Sequence, residues 1–409
     1  MKIACLLITL VFARLSVLTA AEPTATFWSY TDQDLFPSLI IATATVDWNG
    51  DEQDAEDKKE GKAKKLKADE LAIYGDENGL LGAEIENVPE GAEISVEMSG
   101  DGFLKPSRWQ GKVKKGHDAV RVYPKAVWDY AALHGVKQQR PAIVTVKVSV
   151  NGKPLPEVNE TVVLRSINDC PFYVLFDEEG EDFDDLSFMF AAYVNENHPW
   201  IDGVLKEALD AAKQAGVLTS FDGYQSGDSE VVIAQVFAIW NALQRRGIKY
   251  SSVTTTTPSR YNVCQSVRFM DESIGNAQAN CVDGSVLMAS ILRKIGIDVH
   301  LVMVPGHCFL AFSDGEGEDA ALIGLETTMM GQNDLKPVKD LPKLPANLKK
   351  KEFTASLKTF EQALKAGIEQ MDEHAEALDS GEDPDIQMIS IEDARELGIM
   401  PLASGDKAL

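Results

Sequence analysis

The hydrophobic pattern of this 409-residue chain changes near Cys170, and no other feature constrains its fold as strongly. Before that point, short runs of β-forming residues are separated by turns, and residues 144–150 alternate strictly between apolar and polar. The predicted strands cover residues 39–48, 83–85, 92–98, 119–123, 142–150 and 160–165. This pattern is typical of a β-sandwich-type domain, which usually binds or positions a partner.

C-terminal to Cys170, apolar residues recur at three- and four-residue spacing, which predicts helices. One apolar face runs from Ile201 to Ala212 and ends at Gly216, and Ser229 can cap a second helix that ends before Gly247. A β-rich part followed by a part rich in helices places the chain in the α+β class.

A third helical pattern lies near the C-terminus. Its apolar stripe consists of Leu357, Phe360, Leu364, Ile368, Met371, Ala375 and Leu378. A helix with such a stripe must dock against an apolar surface, either in the same chain or in another protomer. A short capped element from Ser390 to Leu397 follows and stops at Gly398.

The first residues have the order of a secretory signal: Lys2, an apolar stretch, and small residues that end at Ala21. A retained anchor is the alternative, but Arg14 shortens the apolar run well below the roughly 20 residues of a spanning helix. We therefore expect a secreted, periplasmic or cell-envelope protein with no membrane span in the mature chain. The expected organisation is a signal peptide (1–21), a β-rich domain (22–168), a second domain (169–331), a linker (332–351) and a C-terminal helical segment (352–409).

The chain is strongly acidic. Its formal charge of −25 becomes −27 when the signal, which carries Lys2 and Arg14 and no acid, is removed. Such a charge repels phosphate backbones and argues against nucleic acid and anionic membrane surfaces as partners. Residues 49–70 mix both charge signs with almost no apolar residues, which predicts a solvated loop rather than a binding site.

Residues 279–312 carry the chemistry that the sequence suggests. An apolar helical face begins just after Asn280, a competent N-cap, and Asp283 stands where it can bond back to the cap. Cys281 then lies in the first helical turn, where unpaired N–H groups and the helix dipole favour a thiolate and can hold an oxyanion. Asp283 is predicted to cap the helix rather than to act as a catalytic acid.

Two predicted strands after this helix supply a base and an acid. His307 opens the strand HCFLAF, and Glu326 lies in the strand ALIGLETT. A histidine beside a thiolate activates it, and a buried acid orients the second ring nitrogen of that histidine. We therefore predict Cys281, His307 and Glu326 as the catalytic residues. The alternative for Glu326 is a surface carboxylate at a strand end.

Four sequence blocks support this prediction: QSVRFMDES from Gln265, NCVDGSVLMASILRKIGI from Asn280, PGHCFLAF from Pro305 and GLETT from Gly324. In this order they resemble the bacterial transglutaminase-like superfamily, whose papain-like fold carries a Cys, a His and an acid. The resemblance implies a thiol acyl-transfer enzyme that acts on a protein or peptide, without a cofactor. Water as the acceptor makes it a peptidase or amidase, and an amine makes it an acyltransferase.

The sequence departs from that superfamily in two ways. The acid there is commonly Asp, and Glu326 has one more methylene. No Trp follows Trp240, which excludes a tryptophan-based oxyanion site from this region. Gln265 and Gln278 are candidates for the second oxyanion donor, although a structural role is also open to each.

Other functions remain open at this point. The domain can be a catalytically idle scaffold or a peptide-binding protein of the cell envelope, with the N-terminal domain recruiting an envelope partner. A metal site of Cys281, His307 and Cys308 lacks the paired spacing that anchors such sites, so we expect no metal. Cys308 is expected to be a buried small hydrophobe, and a bridge between Cys170 and Cys264 is possible in an export compartment.

Overall fold

The computed structural model of the protein describes residues 21–46, 71–76, 78–113, 119–177, 180–252, 259–317, 320–333, 335, 344–381 and 383–403. Its helices and strands, the latter in several sheets, confirm the α+β class. Within these ranges, none of the helices combines the length and the apolar character that crossing a bilayer requires. The predicted signal and the charged run of residues 49–70 lie outside the described residues, apart from Ala21.

The described residues before Asp169 form two sheets, and their buried residues belong to the main core, a single cluster that extends through both parts of the chain from Leu35 to Leu402. Their strands are β1 (Thr24–Ser29), β2 (Asp34–Leu35), β3 (Ala72–Gly75), β4 (Leu81–Glu86), β5 (Glu93–Gly100), β6 (Leu104–Lys112), β7 (Ala119–Tyr123), β8 (Val127–Trp128), β9 (Arg140–Val150), β10 (Lys153–Pro154) and β11 (Val158–Leu164). One sheet has the order β1-β4-β7-β3, and the other has the order β2-β11-β9-β5-β6-β8, with β10 on β9. Alternate residues of β9 are buried, as the strict alternation predicted.

The predicted strand over residues 39–48 is wrong. Its first part belongs to helix α1 (Pro37–Ala42), while a second short helix, α2 (Tyr130–His134), occurs later in this part of the chain. Pro37 occupies the first turn, where its fixed φ and missing N–H suit a helix start. Every residue of α1 is buried, so its β-branched and apolar residues form a continuous run without helical periodicity.

The second part of the chain contains the helices predicted behind Cys170. Its elements are β12 (Asp169–Leu175), β13 (Phe183–Asp185), α3 (Trp200–Gln214), α4 (Ser229–Arg245), β14 (Lys249–Tyr250), β15 (Asn262–Ser266), α5 (Met270–Asn276), β16 (Gln278–Ala279), α6 (Cys281–Lys294), β17 (Val299–Val304), β18 (His307–Ser313) and β19 (Leu322–Leu325). Asp228, rather than Ser229, caps α4, since its side chain accepts from the N–H of Glu230. Helix α6 packs on β17 and β18.

The C-terminal residues complete this second part. They form α7 (Thr354–Glu373), α8 (Ala375–Ser380), β20 (Gln387–Ser390) and α9 (Ile391–Glu396). The segment expected to be helical therefore also holds a strand, which joins a sheet of order β19-β18-β17-β20. Ser390 caps α9, as predicted.

The apolar stripe of the C-terminal helix finds its partner within the same chain. Phe360 and Leu364 enter the main core, and Met371 and Leu378 pack on a second cluster that contains Phe309. The single helix suggested by the stripe is divided at His374, where α7 ends and α8 begins. One face of the sheet is thus covered by α6 and the other by α7 and α8.

A buried charged network joins the two parts of the chain. The guanidinium of Arg165, directly after β11 and 2% exposed, lies 3.6 Å from Asp34 Oδ1 and 3.3 Å from Asp169 Oδ2. Asn262 of β15 also donates to Asp34, at 3.2 Å. Burial raises the pKa of Asp169, although Arg165 partly offsets the rise. The network links β2 and β11 to β12 and β15.

Replacing Arg165 with Met should leave two buried carboxylates without their cation. We expect the free energy of unfolding, measured by chemical denaturation, to fall by about 3–5 kcal/mol. The control is Arg108→Met, which removes an exposed ion pair with Glu97 and should cost about 0–1 kcal/mol. Equal losses in the two variants would contradict the role of Arg165.

Candidate active site

Cys281 is the first residue of α6, and Asp283 fixes the turn that holds it. The Asn280 side chain accepts from the N–H of Asp283 at 2.8 Å, and the Asp283 carboxylate accepts from the N–H of Asn280 at 3.0 Å. The same carboxylate accepts from the backbone and the guanidinium of Arg268 at 2.8 and 2.7 Å. Asp283 is fully buried, and its predicted capping role is confirmed.

His307 lies between Cys281 and Glu326. Its Nε2 atom is 2.6 Å from Glu326 Oε2. The hydrogen bond with Cys281, followed by the one with Glu326, raises the pKa of His307 to about 10. The ring of Phe309 stacks against the imidazole at a centroid distance of 6.4 Å. The structure therefore brings the three predicted residues together.

Glu326 is buried and fully hydrogen-bonded. It follows β19 and caps the 3-10 helix Thr327–Met329, so it stands just beyond the strand in which it was predicted. Its Oε1 atom accepts from the N–H and the hydroxyl of Thr328 at 2.9 and 2.6 Å, and Oε2 accepts from His307 and from Gln370 Nε2, the latter at 2.9 Å. With 3% exposure, Glu326 is not the surface carboxylate that was the alternative.

The environment of Glu326 favours its ionised form. Burial raises the pKa of Glu326, but the hydrogen bonds from His307 and Thr328 outweigh burial and lower the pKa below its ordinary value. A histidine that is held by an ionised carboxylate and lies next to a thiol can activate that thiol as a nucleophile.

A glycine allows the acid segment to approach the cysteine helix. A Cβ on Gly284 would lie 2.8 Å from Thr327 Oγ1 and 3.2 Å from Thr327 Cβ. Thr327 Oγ1 lies 3.3 Å from the hydroxyl of Ser285, which itself donates to the carbonyl of Cys281 at 2.8 Å. The residue directly after Glu326 therefore packs on the first turns of α6.

The two glutamines considered as oxyanion donors have different surroundings. Gln265 Nε2 donates to the carbonyl of Ser266 at 3.0 Å, so the amide already has a structural partner. Gln278 is exposed on β16.

Of the other described cysteines, Cys308 directly follows His307, while Cys170 and Cys264 lie on β12 and β15. Cys308 is fully buried, and burial raises the pKa of its thiol. Cys170 and Cys264 are both free thiols on the paired strands β12 and β15, so the bridge considered for them is not formed. Across the described part of the chain, no group of three or more His, Cys, Asp and Glu residues could hold a metal ion.

Two site residues were missed by sequence reasoning. Thr328 stands two residues after Glu326, and the Glu-Thr-Thr order is a local signal for a carboxylate that caps a turn. Gln370 lies 44 residues after Glu326 on α7, and no local pattern connects them.

Comparison with known proteins adds nothing to this geometry. The sequence matches no protein-family profile and no curated protein. The function must therefore be inferred from the side chains themselves.

Gly284→Ala should destabilise the protein, since buried Thr327 has little room to move. We expect a loss of about 1–3 kcal/mol in the free energy of unfolding, measured by chemical denaturation. Gly275→Ala in α5 is the control, because a Cβ there meets nothing within 4 Å and should stabilise the helix by up to about 1 kcal/mol. A neutral or stabilising Gly284→Ala would contradict the close contact.

The ring of His307 should stay protonated far above neutral pH. Its pKa is raised from 6.5 to about 10, so the stability that this proton contributes is fully present below pH 6.5 and is lost as pH rises through 10. NMR titration of the ring should give a midpoint near 10. His134, His198 and His300, whose pKa values are lowered by burial, should titrate below 6.5. A His307 midpoint in that lower group would contradict the structure.

Proposed function

We propose that the protein is a secreted transglutaminase-like thiol acyl-transfer enzyme that acts on protein or peptide substrates. The observation that carries this proposal is the position of His307, whose Nε2 atom lies 2.6 Å from Glu326 Oε2 and whose ring is close enough to the Cys281 thiol for that thiol to raise its pKa. Each of these residues comes from a different element, so the alignment depends on the whole fold of this part of the chain.

The proposed fold assignment rests on the arrangement of these elements. Helix α6 carries the cysteine at its N-terminus and packs on an antiparallel sheet, in which β18 carries the histidine and β19 leads to the acid. We assign residues 169–331 to a transglutaminase-like, papain-like domain, which follows a β-sandwich-type domain. Secretion to the periplasm, the cell envelope or the exterior is proposed from the leader-like order of residues 1–21.

The proposed reaction uses the three residues in turn. Cys281 Sγ attacks the carbonyl carbon of an amide or ester and forms a C–S bond, while the protonated His307 ring gives its proton to the leaving nitrogen or oxygen. The bond to the leaving group breaks and an acyl-enzyme remains. Water or an amine then attacks this thioester, His307 takes the acceptor's proton, and the C–S bond breaks. Glu326 keeps the imidazolium in place throughout.

The first turn of α6 supplies the stabilisation of the oxyanion. The N–H groups at the start of a helix have no intrahelical partner, and those of Cys281 and Val282 lie in this position. Because these N–H donors are already in position beside the attacking sulfur, they stabilise the negative charge that develops on the carbonyl oxygen of the substrate. The side chains of Cys281 and His307 are both partly exposed, so a substrate can reach them.

The reactivity of Cys281 tests this function directly. We expect iodoacetamide to alkylate Cys281 rapidly at pH 6, well below the pH at which an ordinary thiol of pKa about 8.5 ionises. His307→Ala should slow this reaction about tenfold or more at pH 6, because the imidazolium that stabilises the thiolate is gone. Mass spectrometry of the alkylated peptide gives the rate at each pH.

Two controls separate this effect from general changes. Buried Cys308 reports unfolding, since it should not react in the folded protein. His300→Ala removes another partly buried histidine outside the site and should leave the rate unchanged. A Cys281 thiol that is unreactive and indifferent to His307 would leave the catalytically idle scaffold or peptide-binding protein as the better account.

A further inference from the structure

The backbone of helix α7 lies directly against the backbone of β19, the strand that leads to Glu326. A Cβ on Gly324 of β19 would lie 2.4 Å from the carbonyl carbon of Gly367, and a Cβ on Gly367 would lie 2.3 Å from that of Gly324. Neither position has room for a side chain. The two glycines therefore set α7 closer to β19 than side-chain packing would permit.

This close crossing lets α7 bind Glu326 at two points. The backbone N–H of Glu326 donates to the carbonyl of Ala363 at 3.0 Å, and Gln370 Nε2 donates to Glu326 Oε2 at 2.9 Å. Ala363 and Gln370 are seven residues apart, which is two turns on one face of a helix. The helix thus holds both the backbone and the side chain of the acid.

We propose that Gln370 is a positioning residue of the active site, which holds the Glu326 carboxylate in the orientation that aligns His307 with Cys281. The inference rests on the proposed function and extends it to the C-terminal segment, which sequence analysis placed outside the catalytic domain. Gln370 is not a catalytic residue, because it acts through Glu326.

The distribution of hydrogen bonds explains why this donor matters. Thr328 holds Oε1 with two bonds, so the carboxylate can still turn about its own axis. Oε2 is the atom that meets His307, and the amide of Gln370 is the other donor to that atom. Without the amide, Oε2 depends on the histidine alone, and the two can move together away from the thiol.

The charged and titratable groups near Gln370 determine how substitutions at this position respond to pH. Across from Gln370 lie the titratable groups Glu326 and His307, with Cys281 beyond the ring. On the side of α7 itself, Glu369, Glu373 and His374 lie within about one turn of position 370. The 3-10 helix after Glu326 offers neutral hydroxyls. Helix α4 meets α7 several turns earlier, where Trp240 and Gln244 bond to Thr359, so it adds no charge there.

If the proposal is right, one substitution of Gln370 lowers the alkylation rate at every pH and another lowers it only at high pH. Gln370→Met keeps the size and helix propensity but removes the donor, and it should lower the Cys281 alkylation rate about tenfold at every pH from 5 to 8. In Gln370→Glu, the new carboxyl group can still donate a hydrogen bond to Glu326 as long as it is protonated. Two adjacent carboxylates cannot both ionise readily, so the pair retains one shared proton at low pH. The rate of this variant should match wild type near pH 5 and fall to the Gln370→Met rate near pH 8.

Glu369→Gln is the matched control. Glu369 is adjacent in sequence and exposed, and its partner is Lys365 rather than a site residue. This control should keep the wild-type rate at all pH values. The His307 ring is monitored by NMR in each protein, and its titration midpoint should fall in Gln370→Met and stay unchanged in Glu369→Gln.

The outcomes separate this inference from the proposed function. A wild-type rate and an unchanged His307 midpoint in Gln370→Met would overturn the positioning role while leaving the enzyme intact. A ratio of Gln370→Glu to wild type that is constant with pH indicates general damage to packing and would also overturn it. If Cys281 is inert in wild type, the proposed function fails, and the His307 midpoint in Gln370→Met still decides whether Gln370 orients Glu326.

Discussion

The structure of the candidate site depends on the burial of one carboxylate. A buried ionised Glu326 is costly unless its oxygen atoms are hydrogen-bonded, and its donors come from three separate elements. Strand β18, the 3-10 helix and helix α7 must therefore all be in place at once. The glycine contacts at Gly284 and Gly324 allow that convergence, because they bring the segment that carries Glu326 against two helices.

Features of the fold that depend on residues close together in sequence could be predicted from the sequence. The capping box of Asn280 and Asp283 placed Cys281 at a helix start, and strict alternation predicted strands such as β9. These features depend on neighbours within a few residues, so a single sequence reveals them. The order of cysteine, histidine and acid along the chain then allowed the three to be grouped, although only the tertiary structure supplies the distances between them.

The features that the sequence did not reveal depend on contacts between residues that are distant in sequence. Helix α1 is buried on all sides, so its apolar run has no helical periodicity and resembles a strand. Strand β20 was overlooked because four residues between two helices give little pattern. Gln370 is an ordinary polar residue on an amphipathic helix, and only the crossing of α7 over β19 gives it a partner. Arg165 likewise owes its burial to carboxylates on other strands.

The position of the C-terminal segment has a consequence for biogenesis. Strand β20 pairs with β17, and α7 lies over β19, so elements synthesised after Glu326 complete a sheet begun earlier in the chain. Pairing between residues so far apart in sequence is intrinsically slow, because loop-closure entropy must be overcome first. A chain still emerging from the ribosome would have its cysteine helix but lack the support for the acid. Under the proposed function, such a nascent chain stays a poor catalyst, which protects neighbouring proteins until export and folding are finished.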